Sequence, residues 1–267
     1  MFQDTLSNIK KQECSSLQKL RGFVENDFDV NGDILTTDEN LMRFLYSRQL
    51  NVQATYSLIK NFVQYKKDNP NIFENLSIHA EDIRTALEHS LPELHPHKDR
   101  KCRSIIIFHA NNWDGTFTLN AIYRALLLCL DYALEDIHTQ NNGFVIIVNW
   151  EQFTFKKSTW IIPSFINSMI YGLQSCYPAK FLELHFIASS WYINAAFNVF
   201  KLSFNDEIRE NFYVHGRNLS ALHEYIHKEV LPTELGGNKP SFNSAKLIEE
   251  LEIFVKKISD KSGVKKI

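Results

Sequence analysis

Two compact apolar runs, separated by one long apolar segment, constrain the fold more than any other part of the chain. CRSIIIFHA (102–110) and GFVIIVNW (143–150) are rich in β-branched residues, which predicts strands buried on both faces. Between them, FTLNAIYRALLLCLDYALEDI (117–137) is apolar on most sides and predicts a buried helix. Helical spacing returns from Pro163, and a third strand is predicted within YPAKFLELHFIAS (177–189). This alternation predicts βαβ units and a largely parallel sheet.

The segment before the sheet is predicted to be helical. Thr36 and Glu39 have the spacing of a capping box, which predicts the start of one helix. A second helix is predicted from about Val52, and Pro70 ends it. We therefore expect residues 1–75 to form a small helical bundle.

The segments after the third strand complete the predicted organisation. Aromatic residues recur at helical spacing in WYINAAFNVFKLSF (191–204), and FYVHG (212–216) predicts a further short strand. The last segment, from Ser241, predicts an amphipathic helix. We expect an α/β protein in which the helical bundle is followed by a sheet domain at 76–238 and a helical tail at 239–267.

Composition excludes several classes of protein. A chain of 267 residues can bury a sizeable core without disulfides, and a formal net charge of −2 gives no field that would attract nucleic acid. The four cysteines are scattered without a CxxC pair, which argues against a zinc knuckle or redox motif. No stretch approaches the ~20 apolar residues of a spanning helix. The first residues, MFQDTLSNIKKQEC, lack the apolar stretch that a secretory signal requires, so we expect none. We expect a cytoplasmic protein that touches membranes only peripherally.

Motifs that would indicate catalysis are missing from the sequence. Neither GxGxxG nor GxxxxGK[ST] occurs, and no GxSxG elbow follows a strand. The three predicted strands end at His109, Asn149 and Ala188 rather than at a nucleophile, an acid and a base. We therefore expect no enzyme activity and no cofactor.

One stretch, HEYIH, has the letter pattern of a zinc hydrolase. On a helix, His223 and His227 would share a face, with Glu224 as a general base. The helix would be short, however, and a third ligand would have to come from the charged tail helix at Glu249 or Glu250. We therefore expect two exposed histidines on a surface helix and no metal site.

Several short motifs, in order, resemble the CRAL-TRIO family over roughly residues 30–238. The first is TTDENLMRFLYSRQLNVQATYSLIKNFVQYKKDNPNIF, and HANNWDG follows it. The remaining motifs are YP (177–178), HFI (185–187), VHG (214–216), LSALHEYI (219–226) and LPTELGG (231–237). Within the family, the motifs are similar to those of the branch that holds the tocopherol-transfer, retinaldehyde-binding and clavesin proteins. In that family the stretch after HG commonly contains LHxxI, which accounts for most of HEYIH.

The resemblance implies a helical bundle beside a twisted sheet, with an apolar cavity closed by a gate helix at 191–204. It also implies a carrier of one hydrophobic small molecule, tocopherol-, retinoid-, carotenoid- or sterol-like, which is exchanged at a membrane surface. By resemblance, the cavity wall is formed by residues of the first crossover helix, of the segment after the second strand, of the second crossover, of the third strand and of the gate. These residues are Tyr123, Leu126, Leu127, Leu130, Phe153, Phe155, Ile161, Met169, Leu173, Leu184, Phe186, Trp191, Phe197 and Phe200. The alternative is that they form ordinary core.

Some relatives bind phosphoinositides through a basic cluster near the gate, which suggests a second function as a phosphoinositide-binding module in membrane traffic. Arg48 and Lys180 are basic at positions of that cluster. The other positions carry residues that are not basic: Leu182, Glu207 and Asn211. Lys201, Arg209 and Arg217 lie near in sequence and are candidates to replace them. The simpler interpretation, surface charge, is the one that the sequence favours.

Overall fold

The structure is a computed structural model that describes residues 2–27, 30, 37–151, 157, 161–188 and 201–261. The helices are α1 (Phe2–Glu25), α2 (Asp38–Ser47), α3 (Val52–Asp68), α4 (Pro70–Phe73), α5 (Glu81–Glu88), α6 (Leu119–Ala133), α7 (Ile137–Asn142), α8 (Pro163–Tyr171), α9 (Asp206–Glu210), α10 (Leu219–Tyr225) and α11 (Ser244–Lys261). The strands are β1 (Glu93–Leu94), β2 (Ser104–His109), β3 (Phe144–Asn149), β4 (Phe181–Ile187) and β5 (Phe212–Val214). The expected mixed α/β class is confirmed.

Helix starts are fixed by side chains that accept hydrogen bonds from the first turn. The Thr37 side chain accepts from the Asn40 amide at the start of α2, one residue later than the capping box predicts. Thr36 itself lies outside the described residues. Asn51 begins α3 in the same way, and Thr118 begins α6.

The five described strands form one sheet in the order β1-β2-β3-β4-β5. The pairs from β2 to β5 are parallel, whereas β1 pairs with β2 in the antiparallel direction. Sequence reasoning missed β1, because two residues are too few to show an alternating pattern. The register aligns even-numbered positions across the sheet, so that Ile106, Ile146, Leu184 and Phe212 form one row.

The odd-numbered face of the sheet is covered by α10 and the segment after it. Ile105, Val145 and Ile187 on this face pack with Leu222 and Leu235. All of these side chains are fully buried. The even-numbered face packs against α6 and α8, so the two crossover helices lie on one side and α10 on the other.

The odd-numbered face also carries a buried polar network around Glu183. The carboxylate accepts hydrogen bonds from Arg103, Lys101 (3.1 Å) and His185 Nε2 (3.3 Å). Burial alone would raise the pKa of Glu183, but the hydrogen bonds from His185 and Arg103 outweigh it and lower the pKa. Because this ionised carboxylate only accepts, His185 Nε2 carries a hydrogen and His185 Nδ1 accepts from His215 Nε2, 2.9 Å away.

The helical bundle and the tail helix pack on separate parts of the sheet domain. The bundle has its own core, which includes Leu41, Leu45 and Ile59. The tail helix α11 buries Leu251 and Phe254 against α5 and α6. Within the described residues, no helix is long and apolar enough to cross a membrane.

The prediction that HEYIH places two exposed histidines on one surface helix is wrong. Helix α10 ends at Tyr225, because Ile226 turns into an extended conformation and packs in the core of the odd-numbered face. His227 therefore lies beyond the helix, and the helical spacing that a zinc site needs is lost. His223 is half-buried rather than exposed, and its Nε2 donates to the Leu235 carbonyl at 2.8 Å. Within the described part of the chain, no group of three or more His, Cys, Asp or Glu side chains could hold a metal ion.

Candidate functional site

A cavity of about 220 Å³ lies between the even-numbered face of the sheet and helices α6 and α8. We call it the apolar cavity, because the described surface that faces it consists of apolar atoms alone. Its lining residues are Leu91, Phe108, Ala110, Trp113, Leu119, Ile122, Leu126, Ile146, Val148, Trp150, Ile161, Ile166, Met169, Ile170, Leu173, Leu184, Phe186, Phe204 and Phe212.

The strands supply the floor of the apolar cavity through their even-numbered residues. Val148 on β3 lies beside Phe186 on β4, and Ile146 lies beside Leu184. Phe186 stacks on Phe212 of β5, with ring centroids 4.8 Å apart. The sequence left the direction of Leu184 and Phe186 open, and both point into the apolar cavity.

Only one stripe of α6 faces the apolar cavity. Leu126 lines it together with Leu119 and Ile122, at helical spacing. Three other residues predicted for the wall, Tyr123, Leu127 and Leu130, do not line it: they belong to the adjoining solid core beside Tyr65 and Tyr177. Because α6 is buried all round, each of its faces is apolar, and the sequence could not show which face borders the empty space.

The second crossover contributes more of the wall than the sequence indicated. Ile161, Met169 and Leu173 line the apolar cavity as the resemblance implied. Ile166 and Ile170 of helix α8 join them. Five further residues of the predicted wall lie outside the described residues, namely Phe153, Phe155, Trp191, Phe197 and Phe200.

Two tryptophans that sequence reasoning missed also line the apolar cavity. The indole N–H of Trp113 donates to the Phe117 carbonyl at 2.8 Å, so its polar group is satisfied by the backbone. Trp150 continues the even-numbered positions of Ile146 and Val148. That parity was visible in the sequence and could have placed Trp150 in the wall.

A separate polar cleft of about 540 Å³ lies where the helical bundle meets the sheet domain. We call it the junction cleft; Arg48, Lys180, Leu182 and Glu207 line it. The Arg48 guanidinium donates to the Gln174 carbonyl at 2.9 Å. Burial lowers the pKa of Arg48 and that of Lys180, and Glu207 opposes both shifts. The cleft thus combines two cations with one carboxylate.

The three candidate replacement cations do not line the junction cleft. The Lys201 ammonium lies 5.4 Å from the centroid of the Phe212 ring. Arg209 pairs with Asp206 at 3.3 Å, and Arg217 is exposed. Of the predicted basic set, the structure brings together only Arg48 and Lys180.

A mixed sheet with crossover helices on one face and an apolar cavity between them can hold a hydrophobic ligand. The chain belongs to the CRAL-TRIO family of lipid-binding and lipid-transfer proteins: its residues 88–237 match the CRAL/TRIO domain. The resemblance that the sequence motifs indicated is thereby confirmed.

Comparisons with individual proteins agree with this family. The chain is 34% identical to clavesin-1 of Xenopus laevis over 228 residues, which is 85% of this chain and 68% of that protein. It is 35% identical to clavesin-2 of Homo sapiens over 228 residues, 85% of this chain and 69% of that protein. The crystal structure of Sfh5 is similar in fold, with a TM-score of 0.63 at 13% identity, covering 94% of this chain and 98% of that one.

Proposed function

We propose that the protein carries one hydrophobic small molecule in the apolar cavity and exchanges it at membrane surfaces without a covalent step. The observation that supports this most strongly is the apolar wall shared by the sheet, α6 and α8. Transfer of an aliphatic chain from water to such a wall gains ~0.8 kcal/mol per buried CH₂. Binding of this kind needs no cofactor and no catalytic group.

The wall restricts the class of ligand. A hydroxyl or carboxylate pressed against it would lose its hydrogen bonds to water, at a cost of roughly 1–3 kcal/mol or more. We therefore propose a largely apolar ligand, such as a carotenoid, retinoid, tocopherol or sterol, whose polar end lies away from the described wall. The volume of about 220 Å³ is below the usual range of ~300–1,000 Å³ for ligand pockets. A compact portion of the ligand fits the described space.

The experiment compares two valine-to-tryptophan variants on strands β3 and β5 of the same sheet. Val148 lines the apolar cavity, whereas Val214 is 45% exposed and does not line it. We expect Val148→Trp to fill the space and to abolish extraction of labelled retinoid, tocopherol or sterol from vesicles. Val214→Trp is expected to extract as the wild type does. If Val148→Trp folds and still extracts the ligand, the cavity is not the binding site.

A second candidate function is phosphoinositide binding at the junction cleft, because Arg48 and Lys180 lie together there. Glu207 in the same cleft opposes a polyanionic headgroup, so we place this function second. Vesicle binding that rises with phosphatidylinositol bisphosphate, and that Arg48→Gln abolishes, would favour it. Extraction that is independent of phosphoinositide would favour the carrier.

A further inference from the structure

A third recess, distinct from the apolar cavity and the junction cleft, has a volume of about 690 Å³. We call it the tail cleft. It lies between the edge strand β1, the end of α6 and the segment that leads into α11. Its wall residues include Leu94, His95, Pro96, His97, Lys98, Tyr132, Glu135, Asp136, Lys239, Phe242, Lys246, Leu247 and Glu250. Part of this wall lies beyond residue 237, where the match to the CRAL/TRIO domain ends.

The acidic groups of the tail cleft are already engaged within the protein. Each carboxylate has a cation within 4 Å, which offsets its charge locally. The ion pairs are Glu135 with Arg43 (3.0 Å) and Lys257 (3.2 Å), Asp136 with Lys98, and Glu250 with Lys246 (3.9 Å). Glu250 also accepts a hydrogen bond from the Tyr132 hydroxyl at 3.2 Å.

The cations at the mouth are less engaged than the acids. Within the described residues, the Lys239 ammonium has neither a hydrogen bond nor an ion pair, and Lys246 is 3.9 Å from Glu250. The backbone at Lys239 is fixed, because its amide donates to the Leu231 carbonyl and its carbonyl accepts from the Thr233 amide, each at 3.0 Å. The mouth therefore keeps an excess of positive charge on an anchored segment.

The excess of positive charge at the mouth also acts on the His97 side chain. Burial, followed by the charge of Lys239, lowers the pKa of His97. The floor of the cleft is apolar, since Leu94, Phe242 and Leu247 line it. Leu247 is buried, and the other two are half-buried. An apolar floor under a cationic mouth is complementary to an amphiphile with an anionic head.

We propose that the tail cleft is a second ligand site, which binds a small amphipathic anion with its apolar chain on the floor and its carboxylate or phosphate head between Lys239 and Lys246. The site is separate from the apolar cavity, since no residue that lines the tail cleft also lines that cavity. The tail cleft is predicted to prefer an anion, whereas the apolar cavity is predicted to prefer a largely apolar ligand.

The test is calorimetric titration of the full chain with decanoate, decyl phosphate and decanol. We expect Lys239→Gln and Lys246→Gln each to weaken binding of the two anions by about fivefold, with decanol unaffected. Lys256→Gln is the matched control, because Lys256 is exposed on the same helix and does not line the cleft. The relative affinities of decanoate and decyl phosphate decide between a carboxylate and a phosphate head.

Two further measurements separate the tail cleft from the apolar cavity. In a Trp160→Phe/Trp191→Phe background, a brominated decanoate is expected to quench the fluorescence of the remaining Trp113 and Trp150 when it lies in the apolar cavity, because both residues are part of its wall. Anion bound in the tail cleft is expected to leave that fluorescence unchanged and to raise the pKa of His97 in an NMR titration. Decanoate that binds the Lys239→Gln/Lys246→Gln double variant as tightly as the wild type, or that binds only with quenching, overturns the proposal.

Discussion

Gly172 allows two tyrosines from distant parts of the chain to meet. It begins a π-helical turn after α8, and the Tyr65 and Tyr123 hydroxyls lie 3.3 Å apart beside it. A β-carbon at position 172 would lie 2.7 Å from the Tyr65 oxygen and nearer still to that of Tyr123. Both rings are buried, so neither can move aside easily. The glycine is therefore required by close packing rather than by its backbone angles.

We expect Gly172→Ala to destabilise the fold by about 1–3 kcal/mol, the usual cost of overpacking. Gly22→Ala is the control, because Gly22 is in helix α1 and an added β-carbon there meets nothing within 4 Å. That change is expected to stabilise the protein by about 0.5–1 kcal/mol through helix propensity. Urea unfolding measures both variants, and equal effects of the same sign would contradict the packing argument.

His185 and His215 make the stability of the sheet depend on pH. Burial, followed by the charge of His185, lowers the pKa of His215 to about 4. Burial also lowers the pKa of His185, although Glu183 opposes the shift. In the unfolded chain both groups titrate near pH ~6.5, so the unfolded state binds more protons between that pH and the folded values.

The free energy of unfolding is therefore expected to be fully retained above pH ~6.5 and to fall as the pH drops toward 4, with His215 contributing on the order of 2–3 kcal/mol. Chemical denaturation at pH 7, 5.5 and 4.5 measures the change. His215→Gln removes the titrating group and should flatten the profile, whereas His79→Gln, at an exposed position, should not. A wild-type profile that is flat over this range would contradict the prediction.

At the scale of elements, sequence patterns predict where helices and strands occur better than which of their faces borders a cavity. The caps at Asn51 and Thr118 and the stop at Pro70 are local, so both limits of α3 and the start of α6 follow from residues close in sequence. The end of α6 at Ala133 does not, since the apolar pattern continues to Ile137. The rotation of α6 is set by tertiary packing instead. Leu126 and Leu127 are both buried leucines, yet only Leu126 lines the apolar cavity.

Helix α8 and the turn at Lys201–Ser203 carry exposed apolar side chains on a surface beside the apolar cavity. Ser203 donates to Asn167 of α8 at 2.8 Å, and Leu202 next to it is 73% exposed. Ile162 and Tyr171, at the ends of α8, are also exposed. We propose this surface as the membrane contact, because apolar side chains beside a ligand cavity can enter a bilayer interface.

We expect Leu202→Asp to weaken vesicle binding by about tenfold, since it removes an apolar side chain worth ~1.5 kcal/mol and adds a charge. Ile253→Asp is the matched control on α11, where the isoleucine is 70% exposed. Vesicle co-sedimentation compares the two variants with the wild type. If both variants lose vesicle binding equally, the surface at Leu202 is not the specific membrane contact.

At the scale of the whole molecule, the alternation of strands and helices predicts the α/β architecture, and the ordered motifs predict the family. The empty space is not predicted by any local pattern, because a wall residue and a core residue are equally apolar. The parity of Ile146, Val148 and Trp150 predicts part of the wall, since neighbouring parallel strands share their faces. The two clefts depend on contacts between segments far apart in sequence, as Arg48 and Gln174 show.

Native mass spectrometry of the full chain after incubation with mixed-lipid vesicles shows directly whether the protein carries a hydrophobic molecule in the apolar cavity. We expect a discrete added mass that corresponds to one hydrophobic molecule per chain in the wild type and in Val214→Trp. The same measurement on Val148→Trp, in which the apolar cavity is filled, is predicted to give the bare polypeptide mass. A bare polypeptide in the wild type, or equal loading of Val148→Trp, would show that the apolar cavity does not hold the ligand.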